Sequence, residues 1–149
     1  MTAGLLRFEP AAHASGSPYA SFTFQVEDEG GTTGSGVNLD QSANVLTINV
    51  TSINDAPAGT GGTVTTPEDT AYVFAAGNFG FTDPNDSPAN AFNRVQITTL
   101  PGAGTLKLSG TPVVAGDFIT VGNIPNLTFE PVATANGRPF TRFTFQVED

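Results

Sequence analysis

The 149-residue chain contains no cysteine. That excludes a disulfide framework, a thiolate metal site and a catalytic cysteine. Tryptophan is also absent, and there is one methionine and one histidine. With a single imidazole and no thiols, a transition-metal centre is not expected. Basic residues are scarce, with Lys+Arg 5 against Asp+Glu 14 and a net charge of −9. Such a surface repels nucleic acid and anionic membranes and attracts cations. No apolar run approaches the roughly 18 residues of a membrane-spanning helix, so membrane insertion by this segment is not expected. Apolar residues do not recur at helical spacing over three turns either. The first residues lack the basic start of a signal peptide, and the chain reads as part of something longer.

What is present favours strands and turns. There are 12 Phe, 17 Gly and 11 Pro, and only 13% of the residues are charged. An average domain has about 25%. Polarity comes mainly from Thr, Asn, Ser and Gln, and Thr, Val and Phe favour strands while Gly, Pro, Asn and Asp favour turns.

The clearest signal is an internal repeat. Residues 6–28 read LRFEPAAHASGSPYASFTFQVED, and residues 127–149 read LTFEPVATANGRPFTRFTFQVED. The two align without a gap at an offset of 121, with 15 of 23 positions identical. A period of 121 residues suits an array of whole domains, each with its own core. Residues 1–55 then form the C-terminal part of one repeat, and residues 56–149 form the N-terminal and middle parts of the next.

Alternation marks the strands. Phe22, Phe24 and Val26 share one face of 21–27, and Phe143, Phe145 and Val147 repeat the pattern in 142–148. Leu46, Ile48 and Val50 share a face of 45–53. Period two of this kind reads as half-buried strands. Further strands are expected at 5–9, 62–66, 71–75, 94–99, 104–109, 118–121 and 126–130. Turn signals such as Pro84-Asn85-Asp86 and Pro101-Gly102 separate them. About seven short strands and no helix predict an all-β, immunoglobulin-like sandwich. A jelly roll or an open barrel is the structural alternative.

Several runs carry a family resemblance. Ile53-Asn54-Asp55-Ala56-Pro57 resembles the linker joining bacterial cadherin-like repeats, and Pro67-Glu68-Asp69-Thr70 resembles the acidic element shortly after it. Phe81-Thr82-Asp83-Pro84-Asn85-Asp86 is similar to the acidic loop beyond it. Residues 100–120 are similar to the middle of those repeats, and 22–31 and 45–57 resemble their last two strands. The resemblance covers nearly the whole chain in permuted order. It implies a β-sandwich module repeated in large, extracellular bacterial surface adhesins of RTX or VCBS type, often calcium-binding. This chain has Asp83-Pro84-Asn85-Asp86 where family members often carry a fuller DxDxD-like loop.

The resemblance also implies where Ca²⁺ ligands gather, namely at junctions between repeats. Asp28, Asn54 and Asp55 would come from the end of one repeat, and Asp83, Asn85 and Asp86 from the top loop of the next. Glu68 and Asp69 would join a site at the far end with Glu148 and Asp149. Calcium takes six to eight oxygen ligands, and these acids lie at strand ends and in loops. The alternative is turn chemistry, since Asp and Asn cap their own backbone.

An enzyme is not expected. His13 lies in a loop and its repeat counterpart is Thr134, so the repeat does not require it. Glu9 and Glu130 precede proline in both copies and read as outward strand-end positions. The glycine-rich runs at 30–36 and 59–62 do not open helices, so they do not cradle phosphate. The expected function is a structural or adhesive repeat. A carbohydrate-binding module using Tyr19, Tyr72, Phe79, Phe81 or Phe92 is the alternative.

The repeat leaves residues 60–149 without the strand that comes after 21–27 in the first copy. Residues 44–53 have the character of that strand. They are expected to fold back and complete one circularly permuted sandwich, with one of the duplicated copies less ordered, for which Ile53 to Thr63 spans at most about 33 Å. Otherwise they can be donated to a neighbouring molecule. The expected partners are thus neighbouring repeats, a second copy of the chain or a surface glycan.

Overall fold

The computed structural model describes residues 6–31, 33, 34 and 36–149. Strands dominate, and the described helical residues are two 3-10 turns, Ala76–Phe79 and Val121–Asn126. The chain divides into two compact units, Met1–Ile53 and Asn54–Asp149.

The first unit is a β-hairpin. Strand β1 (Gly16–Phe24) pairs antiparallel with β2 (Asn44–Val50), with Ala20 opposite Ile48 and Phe22 opposite Leu46. A bridge between Glu27 and Leu39 extends the pairing. Asp40 closes the turn before β2 by accepting from the Ser42 backbone N–H and the Asn44 amide, and these bonds hold its carboxyl below the ordinary value. None of the unit's described residues is buried. Phe22, Phe24, Val26, Val45 and Leu46 are all exposed.

The second unit has a core. One sheet has the order β3-β8-β5-β6, formed by β3 (Tyr72–Val73), β5 (Thr105–Leu108), β6 (Thr111–Pro112) and β8 (Leu127–Glu130). The other has the order β7-β4-β9, formed by β4 (Arg94–Thr99), β7 (Phe118–Thr120) and β9 (Thr144–Glu148). Alternate residues point inward, with Val95 and Ile97 from β4 and Leu127 and Phe129 from β8. With Phe74, Phe79, Leu106 and Ile119 they form one apolar cluster contributed by both sheets. The fold is therefore an all-β sandwich, and its pairings are antiparallel.

Most expected strands are present with shifted ends. Strand β1 begins at Gly16 rather than at 21, and 71–75 contracts to Tyr72–Val73. Residues 62–66 and 6–9 are not strands, and residue 5 lies outside the described residues. The apolar alternation of 62–66 is brief and finds no ladder partner. The repeat also reproduces a local turn: His13 and Thr134 both adopt a left-handed conformation, at φ 58° and 59°.

Two glycines set close approaches. Gly104 has φ +80°, and a Cβ there would lie 2.5 Å from Phe129 Cζ and 2.7 Å from the Glu130 carbonyl. Gly80 ends the first 3-10 turn at φ +51°, and its Cβ would lie 2.7 Å from the Thr60 carbonyl. That clearance lets the chain around Thr60 lie against the turn, and the Thr60 N–H donates to the Phe79 and Gly80 carbonyls.

Candidate metal centre

The site forms in the second unit, where three segments meet. The first is the start of the unit, Asn54 and Asp55. It is held by Ala58, which exchanges backbone hydrogen bonds with Thr82 at 2.7 and 2.8 Å. The second is the loop after Thr82, which carries Asp83, Asp86 and Asn90. The third is the end of β9. Its pairing with β4 sets Glu148 opposite Arg94, and the Asn93 N–H donates to the Glu148 carbonyl at 2.9 Å. Asp149 is thereby delivered beside the loop.

Carboxylate oxygens of Asp83, Asp86 and Asp149 lie within 4.8 Å of one another. The surrounding donors hold them there. The Asp55 N–H donates to Asp86 Oδ2 at 2.8 Å. The Asn90 N–H donates to Asp83 Oδ2, and the Asn90 side-chain amide donates to Asn54 Oδ1 and, at 3.0 Å, to Asp149 Oδ2. Asp83 is the buried charged residue among those described, with 7% of its surface exposed. Its Oδ1 is buried and accepts no hydrogen bond. A carboxylate oxygen stripped of water without a partner is costly. A cation among three carboxylates would remove that cost and their mutual repulsion.

The donor set is carboxylate oxygen, from Asp83, Asp86 and Asp149. That chemistry fits a hard cation, and Ca²⁺ in particular, which tolerates irregular oxygen shells at roughly 2.3–2.6 Å.

Of the residues expected from sequence, Asp83 and Asp86 come together as carboxylates, while Asp55 touches them through its backbone N–H and Asn54 through Asn90. Asp28 sits in the first unit, where its Oδ1 accepts from the Gly30 N–H at 2.9 Å in a local turn. Glu68 and Asp69 lie in an exposed turn, with Asp69 at φ 59° and its Oδ1 accepting from the Thr134 N–H at 2.9 Å. The expected far-end grouping with these two does not form for Asp149, which joins Asp83 and Asp86 instead. Glu148 is taken up by Arg94 in a two-pronged ion pair at 2.8 and 2.7 Å. Sequence reasoning missed Asn90, which no motif marks. The repeat offered a signal for Asp149: it is the counterpart of Asp28 at the offset of 121.

The two glutamates before proline have ionic partners. Glu130 accepts from Lys107 Nζ at 2.6 Å, and Glu9 pairs with Arg7 at 2.6 Å. His13 is exposed in its turn. No helix among the described residues is long and apolar enough to cross a membrane. No protein-family model, curated protein or solved structure matches the chain.

Proposed function

We propose that this chain is a non-catalytic structural repeat of a large extracellular surface protein, and that Ca²⁺ stiffens it by binding Asp83, Asp86 and Asp149. One observation carries the reading: carboxylate oxygens of three aspartates lie within 4.8 Å of one another, and one of the three, Asp83, is buried with an Oδ1 that accepts no hydrogen bond. The 121-residue repeat supports the tandem-array part of the proposal. The placement of the aromatics supports structure over sugar recognition. Phe79 is 1% exposed in the core, and Tyr72 packs edge-on against Phe74. Phe81 and Phe92 are half-buried and stack on each other with centroids 4.9 Å apart. These rings are spent on packing rather than arrayed as an exposed platform.

The test is a calcium titration against chelator, read by amide NMR shifts and by thermal melting. Shifts are expected at 54–55, 83–90 and 149. With an affinity typical of extracellular modules, several millimolar Ca²⁺ should add roughly 1–2 kcal/mol. Asp83→Asn should lose both responses while keeping the fold. Unchanged shifts and an unchanged melting temperature in the original chain would overturn the calcium reading.

A further inference from the structure

The connection between β8 and β9 carries a reactive dipeptide. Of the 11 asparagines in the chain, only Asn136 is followed by glycine. Asparagine is a labile residue, because the backbone nitrogen that follows it can attack its side-chain carbonyl carbon and close a cyclic imide. A side chain on the following residue obstructs that approach, and glycine has none.

The structure sets Asn136 apart in a second way. The side chains of Asn38, Asn44, Asn54, Asn78 and Asn90 are held in hydrogen bonds. Asn49, Asn123 and Asn126 precede the branched side chains of Val50, Ile124 and Leu127. The Asn136 side chain makes no hydrogen bond among the described residues, and both Asn136 and Gly137 are exposed.

The chain on either side is anchored. The Thr134 N–H donates to Asp69 Oδ1 at 2.9 Å, and the Ala135 N–H donates to the Val132 carbonyl at 3.1 Å. Beyond the dipeptide, Phe140 packs on the core beside Phe129, with centroids 6.5 Å apart. Ring closure at 136–137 therefore disturbs no core contact. The charge nearby also favours it. Arg7, Arg94 and Lys107 are each paired with a glutamate, whereas Arg138 and Arg142 have no ion pair among the described residues. Arg138 directly follows Gly137, and a cation there favours the deprotonated amide nitrogen that attacks.

We infer that Asn136 is a site of spontaneous covalent modification that needs no enzyme. The Gly137 nitrogen loses its proton and bonds to Asn136 Cγ. The Cγ–Nδ2 bond breaks, and the amide leaves as ammonia. Water then opens the imide at either carbonyl, giving aspartate or isoaspartate. Each event replaces a neutral amide with a carboxylate. Between Pro131 and Phe143 the ionisable side chains are Arg138 and Arg142, so the modification puts the first negative charge into a cationic loop. The first copy of the repeat has Ser15-Gly16 at the corresponding positions, and serine cannot form the imide. The two copies align without a gap and differ in this chemistry.

The test holds the unaltered chain folded at mildly alkaline pH and follows it by peptide mass spectrometry, with isoaspartate detected by enzymatic methyl transfer. Asn136 is expected to convert first, to a mixture of both acids. Gly137→Ala should slow the conversion at least about tenfold. A Cβ at 137 would meet Phe140 Cα at 3.5 Å, an ordinary contact, so this variant should melt as the unaltered chain does. Asn136→Ser, which copies the first repeat, should stop the more acidic form from accumulating on ion exchange. An Asn136 that stays intact in the folded chain while it converts in denaturant overturns the proposal. So do faster conversion at another asparagine, an unchanged rate in a folded Gly137→Ala, and an acidic form that still accumulates in Asn136→Ser.

Discussion

Asp83 and Gly104 show how much single positions decide. Asp83 is buried beside two other carboxylates with one oxygen left unsatisfied, a cost that no core residue needs to bear for packing alone. Gly104 has a purely steric role. Gly104→Ala should destabilise the second unit by about 2 kcal/mol or more, because it adds left-handed strain to a clash with the Phe129 ring and the Glu130 carbonyl. A denaturant titration measures this. Arg94 and Glu148 make a pH prediction. Hydrogen bonds from Arg94 hold the Glu148 carboxyl below its ordinary value. The pair's stabilisation is present in full above the unfolded carboxyl's pKa and is lost as pH falls through the lower, folded one. Melting followed from near neutral pH down to acid should therefore show a decline that is shallower in Arg94→Gln. The effect is small, because both side chains are partly exposed. Arg94 also lies over the Phe118 ring at 4.1 Å, so Arg94→Lys should not fully substitute.

At the scale of elements, strands of similar pattern differ in what they bury. Strand β4 lies at the centre of its sheet, paired on both edges, with Val95 and Ile97 fully buried. Strands β1 and β2 have as strong an alternation but, among the described residues, pair only with each other. Hydrogen exchange should separate them. The amides of Val95 and Ile97 should exchange near the limit set by global unfolding, while β1 and β2 exchange orders of magnitude faster at micromolar concentration. Comparable protection in both would mean that the hairpin has acquired a core. The alternation of Phe22, Phe24 and Val26 was legible as a strand from sequence alone. Whether that strand is buried was not, because its identical copy in β9 is packed and β1 is exposed. Pattern specifies which side chains share a face, but only a facing layer decides whether that face is dry.

At the scale of the molecule, stability should reside in residues 54–149. The surface exposed on unfolding sets the denaturant m-value, and every buried residue described lies in the second unit. At micromolar concentration the fragment 54–149 should match the full chain in both midpoint and m-value. A full-chain m-value higher in proportion to its 149 residues would show that the first unit folds cooperatively with the second. In a tandem array, calcium at the start of a sandwich would tie the incoming chain at Asn54 and Asp55 to the loop at Asp83 and to the end of β9.

Composition and short-range order, read from the sequence alone, determined the strands by alternation, the turns by Gly, Pro and Asx, the all-β class and the 121-residue repeat. The family resemblance marked Asn54, Asp55, Asp83 and Asp86, and with them Asp28, Glu68 and Asp69, which do not belong to the group of Asp83, Asp86 and Asp149. Tertiary structure decided which acids meet. Asp149 reaches Asp83 and Asp86 only because β9 pairs with β4 in a register that sets Glu148 opposite Arg94. Asn90 joins them only because its loop closes back on Asp83. The contact between Asn90 and Asp149 spans 59 residues of sequence. Such contacts depend on strand order and register between distant segments, which local residue preferences do not encode.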